Sequence, residues 1–538
     1  MLRTPRKPHV KPYKPMSEIE LQETAIGEEV AAVMSVDRKC RVDERGAIKS
    51  GRLAGLTMWG AILVIAWPVL VESVLNALVG LVDTTLAAGL SEAATDAVGV
   101  AAYFQWLISL APMAIGVGAT ALISRAFGGG RVALAGAALG QALMLSMALG
   151  LVLAVALIIS APMLARSMSL GDEPEAFGYA VEYLRIVSLG IPFASVLLIG
   201  VSSCRGAGDA LRPMLVMAAI NVVNTVSSFL LSGVDLATSE LGADGVVHSR
   251  VFLANPVSLD MGVRGIALGT LAAWVVGAVL MFGILVRGTN GLRLRARRLR
   301  PHWHTMRRLL RVALPNLLES IGMWVGNFLV LLMVGWMSIP GLYGAHIVAI
   351  RIESLSFLMG FAMAAAAATL TGQYLGAGFP RLAQRAALRC VMVSVVVMGL
   401  IGATLALAPQ AVVGVFSQQP THLELAPMLL ILCGIVQIPF AVAIVLRGTL
   451  YGAGDTRAVM YLTLITIWIV RLPVAWLFSG VEIPLWGGMH IPNPAPLQRI
   501  WDIHPLVGLW IALCGELAVR PVFFAVRFAR GKWKTARV

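Results

Sequence analysis

The sequence predicts an all-α integral membrane protein, with twelve transmembrane helices arranged as two pseudo-symmetric six-helix bundles. Three observations lead there. The 538-residue chain is 58% hydrophobic and 13% charged, with a mean hydropathy of +0.83, so it has too little polar surface to face water and most of it must face lipid. Its apolar residues fall in long runs, each near the roughly 20 residues that cross a bilayer as a helix. Landmarks in residues 62–290 also recur in residues 309–530 at a nearly constant offset of about 247 positions, which marks an internal duplication.

The runs lie at about 62–88, 97–122, 133–160, 178–203, 213–233 and 264–286, and then at about 310–336, 344–370, 386–408, 424–447, 458–479 and 505–526. They are continuously apolar rather than alternating, and lipid forces each segment to close its own backbone hydrogen bonds, so helices are favoured over a barrel. The expected organisation is a polar tail at 1–51, a first lobe at 52–290, a basic linker at 291–308, a second lobe at 309–530 and a basic tail at 531–538. Insertions at about 234–262 and 480–504, between spans five and six of each lobe, are long for a compact bundle. They read as tolerated surface insertions, with a lid or docking surface as the alternative.

Matching motifs support the duplication. Pro68, Glu72 and Ser73 align with Pro315, Glu319 and Ser320. The run from Leu122 to Gly130 aligns with that from Leu370 to Gly378, and the run from Ile191 to Ala194 with that from Ile438 to Ala441. Each of the last pair precedes a Gly-Ala-Gly-Asp turn, at Gly206 to Asp209 and Gly452 to Asp455. These turns are superficially like phosphate loops, but they lack the following Lys and Ser/Thr and sit between spans, so sharp turns are the better reading.

Charge sets the orientation. The stretch from Arg287 to Arg311 holds nine arginines and no acid, and the chain after Phe524 adds Arg527, Arg530, Lys532, Lys534 and Arg537. The positive-inside rule places both in the cytoplasm, and an even number of spans places the N-terminus there too. The net charge of +14 is therefore read as an orientation signal rather than as nucleic-acid binding, because the charges are dispersed over alternate loops. Residues 1–51, with Pro5, Pro8, Pro12 and Pro15 in a basic start, read as a largely disordered cytoplasmic tail with a possible short helix from Ser17 to Met34. Cys40, Cys204, Cys390, Cys433 and Cys514 show no CxxC spacing, and the histidines show no metal spacing, so neither a disulfide framework nor a metal site is expected.

The chemistry then falls to ionisable groups within the spans, where a charge is costly unless it meets a cavity, a partner or a proton. In span one, Glu72 and Asp83 are eleven residues apart, which puts them on one helix face with Asn76 close by. Pro68, one turn before Glu72, is expected to bend this helix. Glu319 repeats Glu72 in the second half, whereas the counterpart of Asp83 is Val330. Asp83 reads as a cation-responsive acid, with a helix-end residue near the interface as the alternative. Further polar candidates are Asn224 and Ser228 in span five, Asn327 in span seven, His346, Arg351 and Glu353 in span eight, and Arg471 in span eleven. Glu516 and Arg520 stand at i,i+4 in span twelve. For the charges of spans eight, eleven and twelve, pairing that holds helices together is favoured over a transport role.

The chain resembles the multidrug and toxic compound extrusion family over about residues 55–530. The likeness rests on Pro68 and the run from Leu78 to Thr84, on the run from Gly344 to Leu355, on the run from Gly372 to Gly378, on the two Gly-Ala-Gly-Asp turns and on Arg471-Leu472-Pro473. The details are similar to the prokaryotic branch named for a DNA-damage-inducible protein. The resemblance implies a secondary transporter of the inner (plasma) membrane that exports cationic or amphipathic compounds by alternating access, coupled to proton or sodium entry. It assigns Asp83 to the family's first-helix aspartate. Two departures count against a complete sodium site: Ser228 stands where some relatives carry a second aspartate, and Met323 where other branches carry a glutamate. Protons are therefore favoured, with sodium near Asp83 left open. No cofactor, metal or nucleic acid is expected. The expected partners are an amphipathic small molecule and membrane lipid, and the expected state is a monomer. The alternatives are a lipid or lipid-linked glycan flippase of the same superfamily and, more remotely, a membrane-embedded enzyme, for which no catalytic constellation is evident.

Overall fold

The computed structural model describes Ile48 and residues 52–167, 173–241, 247–257, 259–337, 339, 341–417, 419–484 and 489–536. The tail read at 1–51, including its short helix, lies almost wholly outside the described residues. The first lobe comprises α1 (Met58–Leu90), α2 (Glu92–Gly128), α3 (Val132–Ser167), α4 (Pro174–Ser188), α5 (Ile191–Gly206), α6 (Leu211–Ser232) and α7 (Gly262–Arg287). The second comprises α8 (Trp303–Trp336), α9 (Leu342–Gly376), α10 (Pro380–Leu407), the short α11 (Pro409–Phe416), α12 (Pro420–Gly452), α13 (Thr456–Ile465), α14 (Leu472–Ser479), α15 (Leu497–Ile500) and α16 (Pro505–Ala529). Eleven of these segments are long and apolar enough to cross a membrane, α13 and α14 counting as one, and the bent pair α4 and α5 completes twelve.

Helix ends follow local chemistry. Thr57 caps α1 by accepting from the Gly60 amide, and Ser91 caps α2 by accepting from Ala94, with Glu92 in its first turn. The two Gly-Ala-Gly-Asp turns are Schellman-type stops. The Asp209 amide donates to the Cys204 carbonyl and the Asp455 amide to that of Leu450, each at 2.9 Å. Gly208 and Gly454 supply the positive φ that this geometry needs, 81° and 76°.

One expected span is broken. Residues 178–203 form two helices inclined by 52° about Leu189 and Gly190. The proline that follows is common to both repeats, since Pro439 sits inside the unbroken α12. The difference is that the counterpart of Gly190 is Gln437, whose Oε1 accepts from Ser356 Oγ at 3.0 Å and ties α12 to α9. A Cβ on Gly190 would collide with Trp274, so the bend also depends on a missing side chain. In span eleven, six residues from Thr466 to Arg471 are π-helical, ending two residues before Pro473.

The insertions carry structure of their own. The first holds an antiparallel hairpin, β1 (Leu236–Leu241) with β2 (Val247–Leu253), and the second a two-residue ladder, β3 (Ile483–Pro484) with β4 (His490–Ile491). Both lie at the end of the bundle opposite the arginine-rich linker, so the two ends are here called the hairpin end and the basic end. The linker is docked rather than loose. Gln141 of α3 donates to the Arg298 and Arg300 carbonyls and accepts from the His302 amide, and α8 begins at Trp303, inside the expected linker. Buried apolar clusters fill each lobe, and the first turns of α1, through Ile62, Ile65 and Val69, pack on the core of the second lobe.

Candidate functional site

Asp83 is buried between α1, α4, α6 and α7 and meets only neutral partners among the described residues. Thr270 Oγ1 donates to its Oδ2 at 2.7 Å, Tyr183 Oη to Oδ2 at 3.1 Å and Asn224 Nδ2 to Oδ1 at 3.2 Å. Asn224 also donates to Thr270 Oγ1 and Ser228 Oγ, while its own Oδ1 is buried without a partner. Small residues create the site. A Cβ on Gly265 would strike Leu231 and one on Gly269 would strike Ser228, so these two glycines, one turn apart, let α7 close on α6 and bring Thr270 to the acid.

The other candidates of α1 go elsewhere. Glu72 is buried but faces Arg205 of α5 at 2.6 Å rather than any partner of Asp83. Asn76 lies between the two acids in sequence yet is exposed and takes no part in either group, which corrects the expected Glu72, Asn76 and Asp83 stripe. The neighbours change along α1: a Cβ on Gly80 would meet nothing within 4 Å, so the middle of this helix borders open space. Helix α1 continues through Pro68, which lines a cavity of about 260 Å³ at the basic end with Arg52, Trp67, Gly208 and Leu211.

The second lobe holds its acids differently. Glu319, fully buried, accepts from Arg447 Nε at 2.9 Å, Tyr451 Oη at 2.7 Å and Thr463 Oγ1 at 2.9 Å. Glu516 receives Arg471 at 2.8 Å and Arg520 at 2.7 Å, and Arg471 also donates to Asn327 Oδ1 at 2.8 Å. His346 accepts from Trp510 Nε1 at 3.0 Å and is not joined to Glu353, which sits beside Cys433 and Arg471. Arg351 is exposed. Arg471 is therefore occupied in a buried cluster with Glu516, Arg520 and Asn327. Between the lobes, Tyr103 of α2 meets Trp324 of α8 with ring centroids 5.3 Å apart, and Trp324 stacks on Phe328.

Sequence reasoning missed Tyr183, Thr270, Arg205, Arg447, Tyr451 and Trp510. Arg205 and Arg447 carried a usable signal, as cations inside or at the edge of apolar runs. Tyr183 and Thr270 carried none, whereas Asn224, the third partner of Asp83, was among the expected candidates. Cys204, Cys390, Cys433 and Cys514 are free, and no group of three metal-ligating side chains occurs among the described residues.

Eleven membrane-length helical segments, twelve spans with the bent pair, in two repeats and with a polar cluster buried in the first, define a multi-pass membrane protein. A family model described as MatE matches residues 68–230 and again 315–477. The chain belongs to that family. It is 26% identical over 476 residues to a probable multidrug resistance protein NorM of Thermotoga maritima, covering 88% of this chain and 93% of that one. It is 22% identical to the multidrug resistance protein MdtK of Pectobacterium atrosepticum, covering 78% and 87%. Among solved structures, a MATE in the bent conformation superposes with a TM-score of 0.75 at 21% identity, covering 88% and 96% of the two chains. A MOP superfamily transporter from Pyrococcus furiosus superposes with a TM-score of 0.74 at 20% identity, covering 89% and 97%.

Proposed function

We propose that this protein is a proton-coupled antiporter that exports amphipathic or cationic small molecules, with Asp83 as the coupling acid. The observation that carries this reading is the contrast among buried carboxylates. Glu72, Glu319 and Glu516 each face arginine, and protonating any of them would strand a buried cation. Asp83 is held only by hydroxyl and amide donors, so it can gain and lose a proton without breaking an ion pair. Its partners sit on three other helices of the lobe, so its charge state is felt by the packing of α1 against α4, α6 and α7. A change there biases which end of the bundle is open.

The names of the curated relatives support multidrug efflux as the task, and the aromatic contact of Tyr103, Trp324 and Phe328 between the lobes suits apolar or cationic cargo. The positive-inside rule puts the basic end in the cytoplasm and the hairpin end outside, in the inner (plasma) membrane of a cell. Sodium is the less favoured ion, because Ser228 and Met323 stand where relatives with a complete site carry a second acid. The flippase alternative needs basic side chains available to a pyrophosphate, and Arg471 is committed to Glu516 and Asn327.

Efflux of a fluorescent organic cation from proteoliposomes, under separately imposed proton and sodium gradients, tests the proposal. A proton gradient alone is expected to drive wild-type export, and Asp83→Asn to abolish it while expression is retained. Full export by Asp83→Asn would refute the assignment.

A further inference from the structure

The duplicated glycine-rich motifs end α2 and α9 at the basic end, where the two helices meet backbone to backbone across the lobe boundary. A Cβ on Gly128 would overlap the Gln373 carbonyl, one on Gly376 the Arg125 carbonyl, and one on Gly372 the Ser124 hydroxyl. Arg125 and Gln373 occupy the same position in the two motifs, and they reach across the boundary in opposite senses. Gln373 Nε2 donates to the Gly206 carbonyl of the first lobe at 3.2 Å, beside Thr369 Oγ1, which donates to the Arg205 carbonyl at 3.1 Å. Arg125, from the first lobe, donates through its terminal nitrogen to the carbonyl of Ala536 at 2.7 Å.

That acceptor belongs to neither repeat. It ends a segment that leaves α16 at Gly531, turns with φ 69° and forms a single 3₁₀ turn from Lys532 to Thr535. The segment is moored to the second lobe. Trp533 is fully buried, stacks on Phe528 with centroids 5.1 Å apart and donates to the Phe528 carbonyl at 2.9 Å, and Lys534 Nζ donates to Gln384 of α10 at 2.7 Å. Residues 531–536 thus start on one lobe and finish on the other, over a seam closed by glycine.

We propose that residues 531–536 are a strap that holds the basic ends of the lobes together, and that Arg125 is the positioning residue through which the strap sets the balance between a closed and an open basic end. The inference rests on the alternating-access reading. It gives the chain's own C-terminal segment a part in the transport cycle, since the bond from Arg125 to Ala536 must break before the seam can part.

Spin labels at Arg131→Cys and Arg381→Cys, both exposed at the basic end and one in each lobe, read the separation by pulsed electron paramagnetic resonance in proteoliposomes. Cys40 is replaced by Ser, and the four remaining cysteines are buried. Truncation after Arg530 and, separately, Arg125→Ala in the full chain are each expected to raise the long-distance population at least threefold. Thr535→Ala, whose hydroxyl bonds only within the strap, is expected to match wild type. If the truncated chain fails to fold, Arg125→Ala decides alone. Wild-type distances in Arg125→Ala overturn the proposal, whether or not truncation shifts them, because the tail would then act only by packing on α16. A wild-type distribution that responds to neither pH nor cargo defeats the alternating-access reading instead, so the two failures are distinguishable.

Discussion

Glu72 and Glu319 hold the same place in the two repeats, and each closes on an arginine that the other repeat does not supply from the same turn. Arg205 aligns with Tyr451, one turn beyond Arg447, so the second lobe meets its glutamate with both residues. Duplication preserved the acid and let its partner move by a helical turn, which keeps the partner on the same helix face.

Glu319→Ala is expected to destabilise the protein by about 3–5 kcal/mol, the usual cost of leaving one member of a buried ion pair uncompensated. Combining Glu319→Leu and Arg447→Met with Tyr451→Phe and Thr463→Val is expected to recover most of that loss, because a dry, apolar contact replaces the pair and its two hydroxyl partners. Thermal unfolding in detergent reads both. A single variant as stable as wild type would show that Arg447 is not held by this acid.

Asp83 has donors of unequal closeness, Thr270 at 2.7 Å and Tyr183 at 3.1 Å. Removing a hydrogen bond to a charged group costs about 1.5–3 kcal/mol. Thr270→Val is therefore expected to slow proton-driven efflux by about tenfold or more, and Tyr183→Phe by less. The measurement is the initial efflux rate per folded transporter in proteoliposomes. The reverse order would move the proton's preferred contact to Tyr183.

His302 and His504 cap α8 and α16, their Nδ1 atoms accepting from the Thr305 and Leu506 amides at 3.3 Å each. Burial, with His304 beside it, holds His302 below its ordinary 6.5. Burial does the same to His504 against the opposing pull of Glu424. Both rings are harder to protonate folded than unfolded, so the stability they contribute is complete above about pH 6.5 and is lost as the pH falls below it. The double variant His302→Asn, His504→Asn keeps a side-chain cap that does not titrate. Its melting temperature is expected to fall less than that of wild type between pH 7.5 and 5, and an equal fall would remove the two caps as the cause.

The bundle was legible because lipid demands long, continuous apolar runs, and the duplication because Pro68, the glycine-rich motifs and the two Gly-Ala-Gly-Asp turns keep a common spacing. The broken span was not. Its cause is a single difference, Gly190 against Gln437, which hydropathy does not register. Of the partners of Asp83, Asn224 stood out as a polar residue in an apolar span, but Tyr183 and Thr270 did not, and all three are brought to the acid by tertiary packing at sequence separations of 141, 100 and 187 residues. Asn76 shows the converse limit. Helical geometry placed it near both acids, but only the packing around α1 decides which part of a face is covered.

The π-helical turn from Thr466 to Arg471 means that span eleven carries one residue of surplus length at a single place. Upstream, Thr463 serves Glu319; downstream, Arg471 serves Glu516. Deleting exposed Ile469 would let this turn relax to ordinary helix with both side chains still aimed correctly. Losing a residue between Thr463 and Arg471 with the turn kept π-helical would instead swing one of them aside by about 100°. The turn therefore makes the stretch between the two acid-binding side chains tolerant to loss of a residue, and an alignment gap falling within it would be the trace of an old insertion.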